Sequence, residues 1–360
     1  MAREVREPEV THVTVVGRVV PLDSDSHMEL VLLAHRFRKA LAKAVKMYAK
    51  GVDGNTIVKE LTRELNLGYA DTIYKLAKLI VEGARHSNSN PLKVRTRRVF
   101  IASRGFSSNK GNRNIRLLSS SELEVNIPRK GWVKFRVLFG EQYIPLIREL
   151  AEKSLSRKAS YTAKIVFRDG RVYLHLSVPI ELYLKHFKKG EALGKLIAGF
   201  DLNSDRVNTV IIDGYGVIRD VKTEWFPEVT SHGFPGGKAS TMRLQALSRL
   251  LSYAYHHGVG VVVFEDLERI KERRYTRSKR ANRKITRFPK RMLLEHAVVM
   301  AMKYGFKVYL ADPSHTSKIG EKLGERLGLD RHTASAYVLA LRAIHPEITK
   351  LVAKLPKYPK

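Results

Sequence analysis

The sequence predicts a multidomain protein of mixed α+β and α/β class. A β-rich, barrel-like front half is interrupted by helices, and a back half runs from three antiparallel strands into crossover strands. Three observations lead there. Alternating apolar patterns occupy both ends of residues 1–185 but not the middle. Between them, apolar residues recur three and four apart. From residue 196 the patterns follow the order β-β-β-α-β-α-β-α.

The first strand is THVTVVGRVVPL (11–22), β-branched and alternating. Leu30, Leu33, Phe37, Leu41, Val45 and Tyr48 then form one helical stripe, with Arg36, Arg38, Lys39, Lys43 and Lys46 mostly off it. Two more helices are expected around 57–65 and 69–84, and RHSNSNP (85–91) reads as a loop. From 92 to 180 the pattern returns to strands. One hairpin turns on Pro128-Arg129-Lys130-Gly131, another on Asp169-Gly170. Residues 184–195 form a charged connector. Three strands over 196–225 follow, then a helix at about 239–257, the strand VGVVVFEDL, a basic segment, a helix at about 290–304, the strand KVYLADP and a closing helix near 331–344. Three antiparallel strands followed by right-handed crossovers is the RNase H-like order. The expected domains are a β-rich one (1–24 with 91–185), a helical insertion (25–90) and an RNase H-like one (191–350).

The chain has 360 residues, 44% of them hydrophobic, so it can bury ample core. A net charge of +31 favours a polyanionic partner, nucleic acid ahead of membrane headgroups. With no cysteine, disulfides, thiolate zinc sites and cysteine nucleophiles are excluded. The start MAREVREPEV lacks an apolar core, and no apolar run approaches the ~18 residues of a membrane span. These readings give a cytoplasmic protein, and the charge-rich, cysteine-free composition fits a thermophile.

Two carboxylates end apolar strands: Asp201 closes LIAGFD and Glu265 closes VVVFE. In the RNase H-like order those strands are neighbours, which sets the two side chains next to each other. Close anions repel unless a proton or cation intervenes. Hard divalent cations with oxygen ligands meet that need, and two of them about 4 Å apart serve phosphodiester hydrolysis. Strand-end caps facing solvent are the plain alternative. Asp205, Asp213 and Asp266 read as turn or surface residues.

GFDLNSDRVNTVIIDGYG, VVVFEDL and GFKVYLADPSHTSKIG together resemble three segments of the RuvC-like nuclease domain of transposon-encoded TnpB proteins, relatives of type V CRISPR effectors. The likeness spans roughly 195–345. It implies an RNA-guided, Mg²⁺- or Mn²⁺-dependent DNA endonuclease, with guide RNA and target DNA as partners and Asp201 and Glu265 as catalytic metal ligands. A prokaryotic, nucleoid-associated protein follows from it.

The sequence departs from the family at two places. Where the family has Asp-Arg-Asp-x-Asn-Ala-Ala, this chain has Asp330-Arg331-His332-Thr333-Ala334-Ser335-Ala336. His332 takes the position of the third metal ligand, and Asp330 lies two residues upstream. Asp330 is a candidate ligand or a helix N-cap, and His332 a candidate ligand, for which Mn²⁺ suits an imidazole better than Mg²⁺. The family's paired Cys-x-x-Cys zinc ribbon is missing, so no zinc is expected. Both departures leave a second reading open, a nuclease-inactive nucleic-acid-binding descendant.

Residues 271–291 hold Arg274, Arg277, Arg280, Arg283 and Arg287 among other cations, with Tyr275 and Phe288 for stacking, directly after Glu265. An acid-free stretch, 93–116, contains Arg97, Arg98, Arg104 and Arg113, and its ASRGFSSNKGNRN part reads as a loop ordered by RNA. The family likeness assigns that stretch to RNA or the RNA–DNA duplex and the helical insertion to target duplex.

Overall fold

A computed structural model describes residues 5–266, 290–314 and 316–345. The chain divides into two compact units, one of residues 11–186 and one of residues 187 onward with the first ten residues.

In order, the first stretch carries β1 (Val5–Arg6), β2 (His12–Pro21), α1 (Ser24–Ala49), α2 (Gly54–Thr62), α3 (Leu67–His86), β3 (Phe100–Ser103), β4 (Gly105–Phe106), β5 (Gly111–Asn112), β6 (Ile115–Leu117), β7 (Glu122–Ile127), β8 (Gly131–Leu138), α4 (Ile144–Leu155), β9 (Thr162–Arg168), β10 (Arg171–Pro179) and α5 (Ile180–Phe187). In the 11–186 unit, seven strands form one sheet in the order β3-β9-β10-β2-β8-β7-β6. Both expected hairpins are present, β7 with β8 and β9 with β10. Asp169 and Gly170 both take positive φ, 50° and 69°, as a two-residue hairpin turn of the primed kind requires. No ladder joins the outer strands β6 and β3. Instead the buried Tyr161 hydroxyl donates to Ile115 O at 3.1 Å and accepts from Leu117 N at 2.6 Å. Asn112 Nδ2 donates to Ser103 O and Tyr161 O, both at 2.9 Å. The curled sheet is thus tied across its ends by side chains.

α1 buries Leu30, Leu33, Phe37, Leu41 and Val45, the stripe the spacing anticipated. Asp23 caps it, accepting from Ser26 N, and Asp53 and Asn66 cap α2 and α3 in the same way. Phe37 meets Tyr69 edge-on at 6.1 Å and Phe100 at 5.5 Å, which binds α1 to α3 and to the sheet.

The second unit continues with β11 (Leu196–Leu202), β12 (Arg206–Ile212), β13 (Ile218–Trp225), α6 (Gly236–His256), β14 (Val259–Glu265), α7 (Lys290–Lys303), β15 (Lys307–Ala311), α8 (Thr316–Leu327) and α9 (Arg331–Ile344). Its sheet order is β1-β15-β14-β11-β12-β13. β12 runs antiparallel to both of its neighbours, β11 and β13, while β14 and β15 run parallel to β11. That is the RNase H-like order, with β1 added on the β15 edge. Alternation divides the core between the two faces. Ala198, Phe200, Val262 and Phe264 pack with residues of α6 and α7. Ile197, Val210, Val263 and Ala311 pack with residues of α9.

Four elements were not anticipated, among them α5, which overlaps residues 184–195 read as a charged connector. α4 interrupts a stretch read as strands; Leu146, Ile147, Leu150 and Ala151 are its buried face. α8 lies where only a ligand-free interval was noted. β1 is two residues long, too short for a periodic signal. The segment 102–114, read as a loop ordered by RNA, instead holds the end of β3 together with β4 and β5, around buried Asn112.

Glu149 of α4 joins this helix to α5, bonding Lys185 Nζ at 2.7 Å and His186 Nε2 at 2.8 Å, with Lys153 at 2.8 Å. Hydrogen bonds from Lys153 and Lys185 push its carboxyl down from 4.5 to about 2. The folded pKa lies below the unfolded one, so the stabilisation is complete above about pH 4.5 and is lost as pH falls towards 2. Glu149→Gln should therefore lower the Tm near neutrality. The gap from the parent should shrink as pH falls from about 4.5 towards 2, as calorimetry across that range would show.

Candidate active site

The site is built at one rim of the six-stranded sheet. Phe200 and Phe264 are register partners in the parallel β11–β14 pair, so Asp201 and Glu265 follow at the same level on strands about 4.8 Å apart. Phe200 and Phe264 face α6 and α7, their ring centroids 5.2 Å apart and their planes tilted by 40°. Alternation turns the next residues to the α9 face. Glu265 is the register partner of Ala311, which belongs to that face.

His332, in the first turn of α9, reaches the same point. Its Nδ1 lies 3.1 Å from Asp201 Oδ2, with the Asp201 side chain 13% exposed and that of His332 37%. An ionised carboxylate only accepts, so this bond places the proton on Nδ1 and leaves Nε2 without one when the ring is neutral. Asn203 Nδ2 donates to the same Oδ2 at 2.7 Å. The turn carrying Asn203 is anchored from below: buried Arg243 of α6 donates to Ser204 O at 3.0 and 3.2 Å. Phe226 N donates to Asp205 O at 2.9 Å.

Asp330 serves a different purpose. It is the N-cap of α9, accepting from His332 N at 2.9 Å and Thr333 N at 3.3 Å on Oδ1, and from the Thr333 hydroxyl on Oδ2. Burial raises its carboxyl, but these hydrogen bonds outweigh burial and hold it below the ordinary aspartate value. Behind it, Asn208 of β12 donates to Thr333 Oγ1 at 3.2 Å and to Thr223 Oγ1 at 2.8 Å. Asn208 is also the register partner of Asp201. A polar chain thus runs from the sheet through Thr333 to the cap. Among the described residues, no three His, Asp or Glu side chains close on one point. Of the four proposed ligands, the structure brings His332 onto Asp201, puts Glu265 on the adjacent strand end and directs Asp330 into its own helix.

Asp266, read as a turn or surface residue, is buried. Arg6 of β1 holds it with a two-pronged pair, Nε to Oδ2 at 2.7 Å and Nη2 to Oδ1 at 3.0 Å. The partner lies 260 positions away, so local pattern gave no sign of it. Asp205 is also buried, against Arg206, while Asp213 does occupy a turn, accepting from Tyr215 N and Val217 N. Arg342 of α9, buried, donates to Ser314 O, Thr316 Oγ1 and Asp312 O and so fixes the turn after β15. Asn203, Asn208, Arg243, Thr333 and Arg342 were not singled out from the sequence. A lone Asn inside RVNTVII was the one available signal.

In the 11–186 unit, Arg97 and Arg98 are exposed. Arg104 and Arg113 both bond Asp71 Oδ2, at 3.0 and 3.2 Å, and Arg113 lies over the Phe106 ring. Arg274, Arg277, Arg280, Arg283 and Arg287, with Tyr275 and Phe288, lie outside the described residues. No helix among the described residues is long and apolar enough to cross a membrane.

The fold and rim define a class: a two-unit protein whose RNase H-like unit gathers carboxylates at the ends of its first and fourth sheet strands. Over 343 residues the chain is 38% identical to the SSO2105 protein of Saccharolobus solfataricus, covering 92% of each. A protein of Aeropyrum pernix is 34% identical over 225 residues, 57% of this chain and 60% of that one. The family description SSO2105 N-terminal domain matches residues 12–188, nearly the bounds of the first compact unit. The chain belongs to the SSO2105 family. Among solved structures, a Cas12f1–sgRNA–target DNA complex aligns with TM-score 0.48 and 12% identity, over 88% of this chain and 82% of that one. Thermus thermophilus RuvC with a Holliday junction substrate aligns with TM-score 0.29 and 17% identity, over 42% of this chain and 96% of that one.

The approach of α9 to β11 sets the His332–Asp201 distance. A Cβ on Gly199 would lie 2.0 Å from Ala336 O and 2.7 Å from Ala340 N, both backbone atoms. Gly199→Ala should cost about 1–3 kcal/mol through overpacking, as urea unfolding would measure.

Proposed function

We propose that this protein is an RNA-guided, divalent-metal-dependent DNA endonuclease of the TnpB type. The observation that carries the reading is the meeting of Asp201 with His332, one strand from Glu265, in a chain of net charge +31. The donor set suits a hard or borderline cation: two carboxylates on adjacent strand ends, with Asp201 Oδ1 accepting no hydrogen bond from the described residues, and an imidazole nearby. Asp201 and Glu265 would hold Mg²⁺ or Mn²⁺, which supplies Lewis-acid activation of a water and of the scissile phosphate. His332 would orient the Asp201 carboxylate through Nδ1, and its Nε2, unprotonated in the neutral ring, would accept a proton from the attacking water. Asn203 holds the same carboxylate oxygen from the other side. Arg97 and Arg98, and by sequence the cations of 271–291, would contact phosphates. Specificity would come from base pairing to the guide.

The second reading, a nuclease-inactive nucleic-acid-binding protein, draws on Asp330. Its oxygens serve the cap, and the position that bears a third carboxylate in the TnpB pattern here bears the imidazole of His332.

The two are separated by recovering the full-length protein with its copurified RNA and sequencing that RNA. Matched and mismatched DNA are then offered with Mg²⁺ or Mn²⁺. Cleavage of matched DNA that Asp201→Asn reduces to background would support the nuclease. Matched binding without cutting, unaltered by Asp201→Asn, would support the inactive reading. Recovery of no RNA would sink both.

A further inference from the structure

The rim that carries Asp201 extends beyond the carboxylates. Asp201 pairs with Asn208 across β11–β12, and Asn208 with Thr223 across β12–β13. Two residues further along, Arg206 pairs with Trp225. Strand alternation puts all five on the α9 face. By strand spacing and rise, Trp225 stands about 12 Å from Asp201. The Arg206 guanidinium carbon lies 3.8 Å from the indole centroid. Arg206 is braced by Asp205, whose Oδ1 accepts from its Nε at 3.2 Å and which is itself buried. The next residue, Phe226, is buried and bonded to Asp205 O. The ring is therefore fixed at its backbone and covered on one side by a cation, yet it remains 58% exposed.

An exposed tryptophan alone signifies little. This one combines a rigid mount, a cation against one face and a place on the same sheet face as the proposed catalytic pair. We infer that Trp225 and Arg206 form a stacking subsite for an unpaired nucleobase near the cleaved phosphate. The inference rests on the function proposed above and adds the strandedness of the substrate. Inside a duplex, both faces of a base are covered by its neighbours, so only an unstacked base can lie on the indole. The guanidinium strengthens the platform and attracts the adjoining phosphate. The subsite therefore admits single strands to the rim and discriminates against duplex.

The test uses full-length protein, without divalent cation so that binding is read apart from cutting. Anisotropy titrations compare a single-stranded oligonucleotide with the duplex of the same sequence. Trp225→Ala should weaken single-strand binding about tenfold, Trp225→Phe should restore most of it, and duplex binding should change little. The chain has two tryptophans, so Trp132→Phe leaves Trp225 as the sole indole. Its fluorescence should be quenched by the single strand and not by the duplex. An equal loss for both substrates, or saturable single-strand binding with no quenching, overturns the subsite. Quenching by a single strand that no divalent cation allows to be cut would uphold the subsite and overturn the nuclease reading. Absence of any nucleic-acid binding overturns both.

Discussion

The contact between the backbone of the closing helix and Gly199 governs this architecture. Ala336 and Ala340 rest on β11 where any side chain would stand, and α9 is held as close to the sheet as a helix can lie. Its neighbours are correspondingly small: Ala334, Ser335 and Ala336 are all buried. His332 is four residues before Ala336, about one turn or 6 Å along the helix. Asp201 is two residues past Gly199, about 6.6 Å along the strand. The two displacements match, and the imidazole arrives at the carboxylate. The Asp330 cap and the Thr333–Asn208 link keep the first turn from fraying, so the helix end is as fixed as its middle.

The second constraint is electrostatic. β14 ends on two successive acids, and alternation sends them to opposite faces. Glu265 goes to the functional rim. Asp266 goes into the interior, where an unpaired charge would be costly, and the Arg6 fork supplies the partner. That pair also fastens β1 to the sheet, since Arg6 is the register partner of Leu310. Arg342 and Arg243 follow the same logic with reversed sign: each buried guanidinium is satisfied largely by backbone carbonyls of a turn that flanks the site. These few cations, in a chain of net charge +31, hold loops in place.

This division explains what could be read from sequence. Periodicity exposed the α1 stripe and the strands of both sheets, because burying one face leaves a repeat of two or about 3.6. It exposed Asp201 and Glu265, because an acid at the end of an apolar run breaks the pattern. It could not expose Asp266, whose burial depends on a residue 260 positions away. Nor could it decide between Asp330 and His332. Both suit the start of a helix, and which of the two side chains lies against Asp201 depends on the placement of that helix on the sheet, a tertiary contact that no local pattern encodes. α4 is hidden in the pattern because IPLIRELAEKSL lies between clear strands, and α8 because Gly320 and Gly324 lower its helix propensity.

On the function proposed, an imidazole in place of a carboxylate at the third position alters the charge balance of the rim. Three carboxylates within a few ångströms would carry a charge of about −3 and call for more than one divalent cation. Asp201 and Glu265 alone are balanced by one. His332 adds no charge when neutral, and its Nδ1 proton already occupies one side of the Asp201 carboxylate. The cation would then bind through the remaining oxygens. In the neutral ring Nε2 would accept the proton of the attacking water, part of the work a second ion performs elsewhere. The substitution is thereby a change in how charge is met at the scissile phosphate, and the rest of the unit (the cap, the Asn208 link, the anchored 203–206 turn) is arranged to hold that ring in place.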